Sequence, residues 1–130
     1  MPLHEEWEHT APDHLDHVAR AIFVLAPERD NFTSVVVSGV SGLVVGAVVA
    51  VRILRPLVVI RKPEETSREK AHWNITNAGD RPLFLDGSIS TGETLRRVEF
   101  ALKLHGKRLA GIYLYGTEAA EIDWRKDLAN

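Results

Sequence analysis

The chain has 130 residues, of which 45% are hydrophobic and 26% are charged, and its formal net charge is −2. This length fits one domain, which we expect to span residues 1–130. The chain has no cysteine, which excludes a disulfide framework, a thiolate metal site and a cysteine nucleophile. Sixteen Lys and Arg residues against eighteen Asp and Glu residues give no broad basic field, so the composition argues against nucleic-acid binding.

One apolar segment has the length at which a membrane span is suspected, because Ser34–Val51 contains eighteen residues without a charge. Its first half is β-branched and its middle reads SGVSG, which interrupts a helix. We therefore interpret it as a strand, a glycine turn and a buried helix. The acidic start, MPLHEEWEH, lacks the apolar core of a signal peptide. The sequence predicts a soluble, cytoplasmic protein with no membrane segment.

Apolar periodicity predicts alternating helices and strands. The first helix begins at Thr10–Asp13, with a capping hydroxyl and a proline, and ends at about Leu25. The other predicted elements are strand Val35–Val37, helix Gly42–Leu54, strand Leu57–Ile60, strand Pro82–Leu85, helix Glu93–His105 and strand Leu109–Tyr115. Residues 61–81 form a long charged loop with a short extended piece at Trp73–Thr76, and residues 1–9 and 117–130 are peripheral. Because the strands are apolar on both faces, we predict a three-layer, Rossmann-like α/β domain with a central, mostly parallel sheet.

Two strand-to-helix loops carry residues that suit a ligand, since ligands of such sheets bind at the carboxyl ends of the strands. The first is SGVSG, residues 38–42. The second is DGSISTGET, which begins at Asp86 and opens the helix at Glu93. Several hydroxyls beside the N–H groups of a helix N-terminus form an anion cradle, and a phosphate monoester is its natural occupant. Plain structural turns remain the alternative, more so for the first loop.

Residues 87–94 read G-x-x-x-x-G-Glu-Thr, one residue away from the phosphate loop of nucleotide hydrolases. Glu93 stands where that loop has its phosphate-pairing lysine. Since a carboxylate repels what the lysine attracts, we reject this interpretation.

The stretch LFLDGSISTGETL resembles instead the 5-phosphoribosyl-1-diphosphate (PRPP) motif of type I phosphoribosyltransferases. In this resemblance Asp86 matches the first acid of the motif, contacts the ribose hydroxyls and acts on Mg²⁺ indirectly, through PRPP and water. The residues that would hold the ribose 5-phosphate are Ser90, Thr91, Gly92, Glu93 and Thr94. The implied cofactor is Mg²⁺.

Three further segments match the family in the same order along the chain, so that the resemblance covers about residues 35–115. The residues that match the diphosphate loop are Ser38, Gly39, Val40, Ser41 and Gly42. Arg61 and Lys62 match a pair that opens the catalytic loop, with Arg61 on the diphosphate. Lys70 and His72 match the Lys-x-His end of that loop in the orotate branch. The resemblance makes Lys62, Lys70 and His72 catalytic together with Asp86, while a solvated charged loop is the alternative for the loop's cations.

Two positions depart from the family's pattern, since Gly87 replaces the second acid and Ser41 stands where many members have Arg or Lys. The short segment before the first strand implies a minimal hood over the base. The resemblance implies transfer of a phosphoribosyl group to a nitrogen acceptor such as a nucleobase, with release of diphosphate, by a homodimer. A non-catalytic PRPP or nucleotide sensor and a hydrolase of phosphoribosyl compounds are the alternatives. Tyr115 and Trp124 either stack on a base near the end of the last predicted strand or pack in the core or at an interface.

Overall fold

The computed structural model of the protein describes residues 15–62, 72–117 and 121–126. Helix α1 is described over residues 15–25. The elements that follow are β1 (Ser34–Val37), α2 (Val40–Ile53), β2 (Leu57–Val59), β3 (Pro82–Asp86), α3 (Glu93–Lys103), β4 (Gly111–Leu114) and β5 (Asp123–Trp124). Two short 3-10 helices, Ala26–Asn31 and Ile75–Asn77, lie between them.

The strands form one five-stranded sheet in the order β2-β1-β3-β4-β5. Strand β1 pairs in parallel with β2 and with β3, and β3 pairs in parallel with β4, whereas β5 is antiparallel to β4. All of β1 is buried, and β3 is buried from Pro82 to Leu85, because helices cover both faces of the sheet. The predicted fold class, a mostly parallel Rossmann-like α/β sheet, is confirmed.

Two apolar clusters, one on each face of the sheet, form the core. Successive strand residues point to opposite faces, so Val35 and Val37 join a cluster with α1 and α2, while Val36 joins one with α3. Each cluster holds several fully buried side chains, such as Leu25 in the first and Leu102 in the second. The three predicted layers are therefore α1 with α2, the sheet, and α3.

Helix α2 lies close to β1 because its glycines permit it. It begins at Val40, two residues before the predicted start, since Gly39 adopts a φ of 91° that turns the chain sharply out of β1. A Cβ at Gly46 would collide with the side chain of Val37, which is fully buried. The helix ends at Ile53, and its capping residue Leu54 is left-handed, with a φ of 60°.

Several predicted boundaries and one predicted strand differ from the structure. Of the extended piece at Trp73–Thr76, only Trp73 pairs, in an isolated antiparallel bridge to Val59, and a 3-10 helix replaces the rest. Helix α3 ends at Lys103, before the predicted His105. Strand β5 was not predicted, because two residues in a polar tail carry no periodicity.

Parts of the predictions lie outside the described residues. These are the helix start at Thr10–Asp13 and the loop residue Lys70. Within the described ranges, no helix combines the length and the apolarity that crossing a membrane requires.

Candidate functional site

The two predicted loops meet at one edge of the sheet, because β1 and β3 are neighbours with parallel register. The first turn of α2 follows β1 there, and Asp86 ends β3. A Cβ at Gly42 would lie 3.6 Å from the carbonyl oxygen of Leu85 and 3.8 Å from Oδ1 of Asp86. The structure thus brings the predicted diphosphate loop to the carboxylate that opens the predicted phosphoribosyl loop.

The first loop offers backbone donors rather than hydroxyls. The buried hydroxyl of Ser38 donates to the carbonyl of Ile60 at 2.8 Å, so it ties β1 to the end of β2. Val40, Ser41 and Gly42 lie in the first turn of α2, whose N–H groups have no acceptor within the helix. The hydroxyl of Ser38 is thus used within the protein, whereas the first-turn amides are suited to an anion. The assignment of Ser38 to the diphosphate stays a prediction.

Two cationic residues follow β2 at the same edge. The ammonium of Lys62 lies against the loop, with Nζ 3.1 Å from the position of a Cβ on Gly39. Its charge also opposes the effect of burial, which raises the pKa of Asp86. The backbone N–H of Arg61 donates to Nδ1 of His72 at 2.8 Å, which brings His72 to the end of β2. Lys70 lies outside the described residues.

The surroundings of His72 disfavour the charged form of its imidazole. Its pKa is lowered first by burial and then by the charges of His105 and Arg61. Because Nδ1 accepts a hydrogen bond, the ring proton of the neutral form lies on Nε2. His72 is therefore suited to donate a hydrogen bond and poorly suited to carry a positive charge.

Asp86 is the carboxylate at the centre of this edge. Its pKa is raised by burial, against the opposing effects of the Gly87 N–H, which donates to Oδ1 at 2.8 Å, and of the charge of Lys62. Among the described residues, no group of three or more His, Asp or Glu side chains could hold a metal ion.

Tyr115 is a site residue whose hydroxyl the sequence did not single out. The side chain is 5% exposed and its ring packs on His17 of α1, with centroids 4.9 Å apart. Burial raises the pKa of its hydroxyl, a hydrogen bond with the Ser41 side chain lowers it, and the charge of Asp86 raises it. That hydroxyl lies 3.5 Å from the position of a Cβ on Gly87, so it borders the place of the missing second acid. The burial of Tyr115 favours packing in the core over stacking on a base.

The second loop ends in the N-terminus of α3. Gly92 caps the helix with a φ of 84°, and the hydroxyl of Thr91 accepts the N–H of Glu93 at 3.3 Å. Ser90, Thr91 and Glu93 are exposed, and Thr94 is half-buried. The loop is open to solvent and has the first-turn amides of a helix at its base, as an anion cradle requires.

Arg96 adds a positive charge that the sequence did not assign to this loop. Its Nη1 lies 3.1 Å from the position of a Cβ on Gly92, over the start of α3. Side chains of a helix point toward its N-terminus, so a residue four positions after Gly92 covers that turn. The spacing Gly-x-x-x-Arg is the signal that could have identified it.

Comparison with known proteins gives a consistent set of relatives, although no family model matches the chain. The hypoxanthine/guanine phosphoribosyltransferase of Methanocorpusculum labreanum is 31% identical over a match that covers 71% of this chain and 56% of that protein. An HGPRTase-like protein of Halobacterium salinarum is 33% identical, over 65% of this chain and 52% of that protein. The chain thus spans about half the length of the curated relatives it matches.

Solved structures of the same fold include three transferases. The orotate phosphoribosyltransferase of Aeropyrum pernix has a TM-score of 0.61 at 18% identity, covering 75% of this chain and 55% of that one. The adenine phosphoribosyltransferase of Rhodothermus marinus has a TM-score of 0.54 at 24% identity, covering 71% and 62%. The purine phosphoribosyltransferase of Pyrococcus horikoshii has a TM-score of 0.52 at 22% identity, covering 75% and 70%. At these identities the likeness shows the fold alone.

Proposed function

The chain belongs to the type I phosphoribosyltransferase family, and on that premise we propose that it binds PRPP with Mg²⁺ and transfers the phosphoribosyl group to a nitrogen acceptor such as a nucleobase. One observation carries the proposal. Helices α2 and α3 begin after β1 and β3, which are parallel neighbours ending at the edge of Asp86, and they pack on opposite faces of the sheet. PRPP has phosphate groups at both ends of its ribose, so it is the ligand that this pair of anion sites and a central carboxylate match.

Each end of PRPP has its own set of donors in this proposal. The 5-phosphate accepts from the loop at residues 90–94, where Arg96 adds charge. The diphosphate accepts from the first-turn amides of α2, beside Lys62. Asp86 contacts the ribose hydroxyls between them. These assignments follow the family motif and the geometry of the edge.

Transfer replaces one bond at C1 of the ribose by another. The C1–O bond to diphosphate breaks and the diphosphate keeps the electron pair, while a nitrogen lone pair of the acceptor forms the new C1–N bond. The proton on that nitrogen passes to the diphosphate or to water. As the C1–O bond breaks, positive charge develops on the ribose, which becomes similar to an oxocarbenium ion. The protein must therefore stabilise the departing diphosphate and exclude water. Lys62 and Arg61 supply positive charge, and Nε2–H of His72 donates a hydrogen bond. The catalytic role of Lys70 stays a prediction.

A magnesium ion fits the residues of this edge. Mg²⁺ is commonly held by one or two carboxylates together with substrate phosphates and water, and Asp86 provides one carboxylate whose Oδ1 already accepts the N–H of Gly87. Asp86 would hold the ion through PRPP and water. When bound, Mg²⁺ would neutralise charge on the diphosphate.

A homodimer is part of the proposal and is supported by one exposed face of α2. This face has a charge only near its end, at Arg52. Its apolar residues, 36 to 72% exposed, are Val40, Leu43, Val44, Val48, Val51 and Leu54. A second copy presents the same mostly apolar face, so it is the occupant that the face suits.

The dimer is tested by sedimentation of Val51→Glu, with Leu104→Glu as the control. Both side chains are about 70% exposed, Val51 on the face and Leu104 after α3, so neither change disturbs the core. We expect a monomer only for Val51→Glu. Equal sedimentation of both variants and the parent chain contradicts this interface.

The function is tested by calorimetric titration of PRPP with Mg²⁺, followed by measurement of diphosphate release across a panel of nucleobases. Thr91→Glu puts an acid into the cradle and is expected to abolish PRPP binding, while Thr76→Glu makes the same change at an exposed position away from both loops. Unchanged affinity in Thr91→Glu contradicts the assignment of the loop. Binding without release on any base favours the sensor, and diphosphate release without an acceptor favours the hydrolase.

A further inference from the structure

A groove of about 1010 Å³ lies at the opposite edge of the sheet from Asp86. The residues before β3 and before β4 line it, together with β5 and the C-terminal half of α3. Strand β3 runs five residues from Pro82 to Asp86, and strands rise about 3.3 Å per residue, so roughly 15 Å separates the groove from the proposed PRPP site. A ligand in the groove would therefore not contact PRPP.

The groove concentrates positive charge in a chain whose net charge is −2. Three carboxylates line it, those of Asp80, Glu99 and Asp123. The six cationic residues of its lining are Arg81, Lys103, Lys107, Arg108, Arg125 and Lys126. The excess of three positive charges in one concavity favours an anionic ligand that carries several charges.

Two of these cations are held in position by neutral acceptors. Nζ of Lys107 donates to the carbonyl of Gly79 at 3.2 Å, and Nε of Arg81 donates to the carbonyl of Asn31 at 2.7 Å. A carbonyl orients a cation without cancelling its charge, and Nε is one of five N–H donors of a guanidinium. A ligand that binds here pays little to order these side chains.

The groove also contains a flat apolar surface. Trp124 pairs with Gly111 in the sheet, and its Cε3 lies 3.0 Å from the position of a Cβ on that glycine, so the indole packs on bare backbone. The side chain remains 36% exposed. An exposed indole beside cations is suited to stack on a nucleobase whose phosphates meet those cations.

We propose that this groove binds a free nucleoside phosphate, with the base on Trp124 and the phosphates toward Arg81 and Lys107. Its volume is near the upper end of the range for small-molecule sites. Its excess of three positive charges balances a nucleoside di- or triphosphate. The site is separate from the PRPP site, and the inference does not depend on phosphoribosyl transfer.

The test is calorimetry of the full chain with ATP, tripolyphosphate and adenosine, each without Mg²⁺. Lys103→Glu and Lys126→Glu reverse charges in the groove at exposed positions, so they leave the core intact. Arg52→Glu makes the same kind of change on α2, and Thr91→Glu alters the PRPP cradle. We expect ATP affinity to fall by about tenfold or more in the two groove variants and to stay unchanged in the two controls.

Removal of either half of the ligand is expected to weaken binding. Tripolyphosphate and adenosine should each bind at least about tenfold more weakly than ATP, and Trp124→Leu should lower ATP affinity without changing that of tripolyphosphate. Three results would overturn the proposal: no detectable ATP binding, ATP affinity lost in Thr91→Glu but kept in Lys103→Glu, or equal binding of ATP and tripolyphosphate. A single-stranded oligoribonucleotide that binds far more tightly than ATP would also overturn it, in favour of RNA. Because PRPP binding is measured separately, its failure leaves this result intact.

Discussion

Replacing Gly46 by alanine tests whether α2 packs closely on β1 because this position has no side chain. A Cβ at Gly46 would collide with Cγ1 of Val37, a fully buried residue of β1, so either the helix or the strand must move. An added methyl in a packed core costs about 1–3 kcal/mol, while alanine gains about 1 kcal/mol over glycine in a helix. We expect a net loss of about 1 kcal/mol, which corresponds to a decrease of roughly 3–4 °C in Tm for a chain of this size.

Chemical denaturation of Gly46→Ala and of a control, Gly42→Ala, measures this effect. At Gly42 the nearest atoms to a new Cβ are 3.6 Å away, an ordinary contact, so Gly42→Ala is expected to be neutral or stabilising. Val37→Ala opens the space that the new methyl needs. The double variant Gly46→Ala, Val37→Ala should therefore be more stable than the sum of the two single losses by about 1 kcal/mol. Gly46→Ala at parent stability, or additivity in the double variant, would refute the reasoning.

Three further predictions concern the site. Burial raises the pKa of Asp86 above its unfolded value, so the stability that this group contributes is present below the unfolded pKa and is lost as pH rises through the folded pKa. Asp86→Asn should therefore match the parent's unfolding free energy at about pH 3 and exceed it at about pH 7.5, while losing PRPP affinity; a constant difference between the two pH values contradicts the sign. Tyr115→Phe removes the hydrogen bond with Ser41 and should cost about 0.5–1.5 kcal/mol by denaturation, so an unchanged unfolding free energy is the contrary result. Gly87→Asp should fold, since a Cβ at this position lies 3.5 Å from Tyr115, an ordinary contact. The added carboxylate should make PRPP affinity depend more steeply on Mg²⁺. Unchanged Mg²⁺ dependence would contradict the idea that residue 87 lies on the metal side of the site.

The buried strands and the loops that follow them could be predicted from the sequence. Runs such as Val35–Val37 are apolar at every position, and this pattern is typical of a strand covered on both faces. Asp86 follows such a run directly, so its place at the carboxyl edge follows from the direction of β3. These features depend on local sequence alone, which is why the fold class was confirmed.

Other features depend on contacts between distant segments. The hydroxyl of Ser38 is used by the carbonyl of Ile60, and this could be known only once β1 and β2 were paired. Strand β5 exists because Trp124 pairs with Gly111, and its own residues are exposed. The hydroxyl of Tyr115 meets the Ser41 side chain only because α2 begins at the edge of the sheet at which β4 ends.

The glycine at position 87 is not required by the backbone, and this bears on how the site works. Its φ is outside the left-handed region, and the nearest side-chain atoms to a Cβ, those of Tyr115, are 3.5–3.6 Å away. A second acid would thus fit sterically, so its absence changes charge rather than shape. A carboxylate at residue 87 would stand next to Asp86 and would raise the pKa of Asp86 further, because like charges disfavour ionisation. Without this second carboxylate, the edge keeps more positive potential for an anionic ligand and offers fewer metal ligands. The proposed site should therefore bind the phosphates of PRPP with less dependence on Mg²⁺ than a site with both acids.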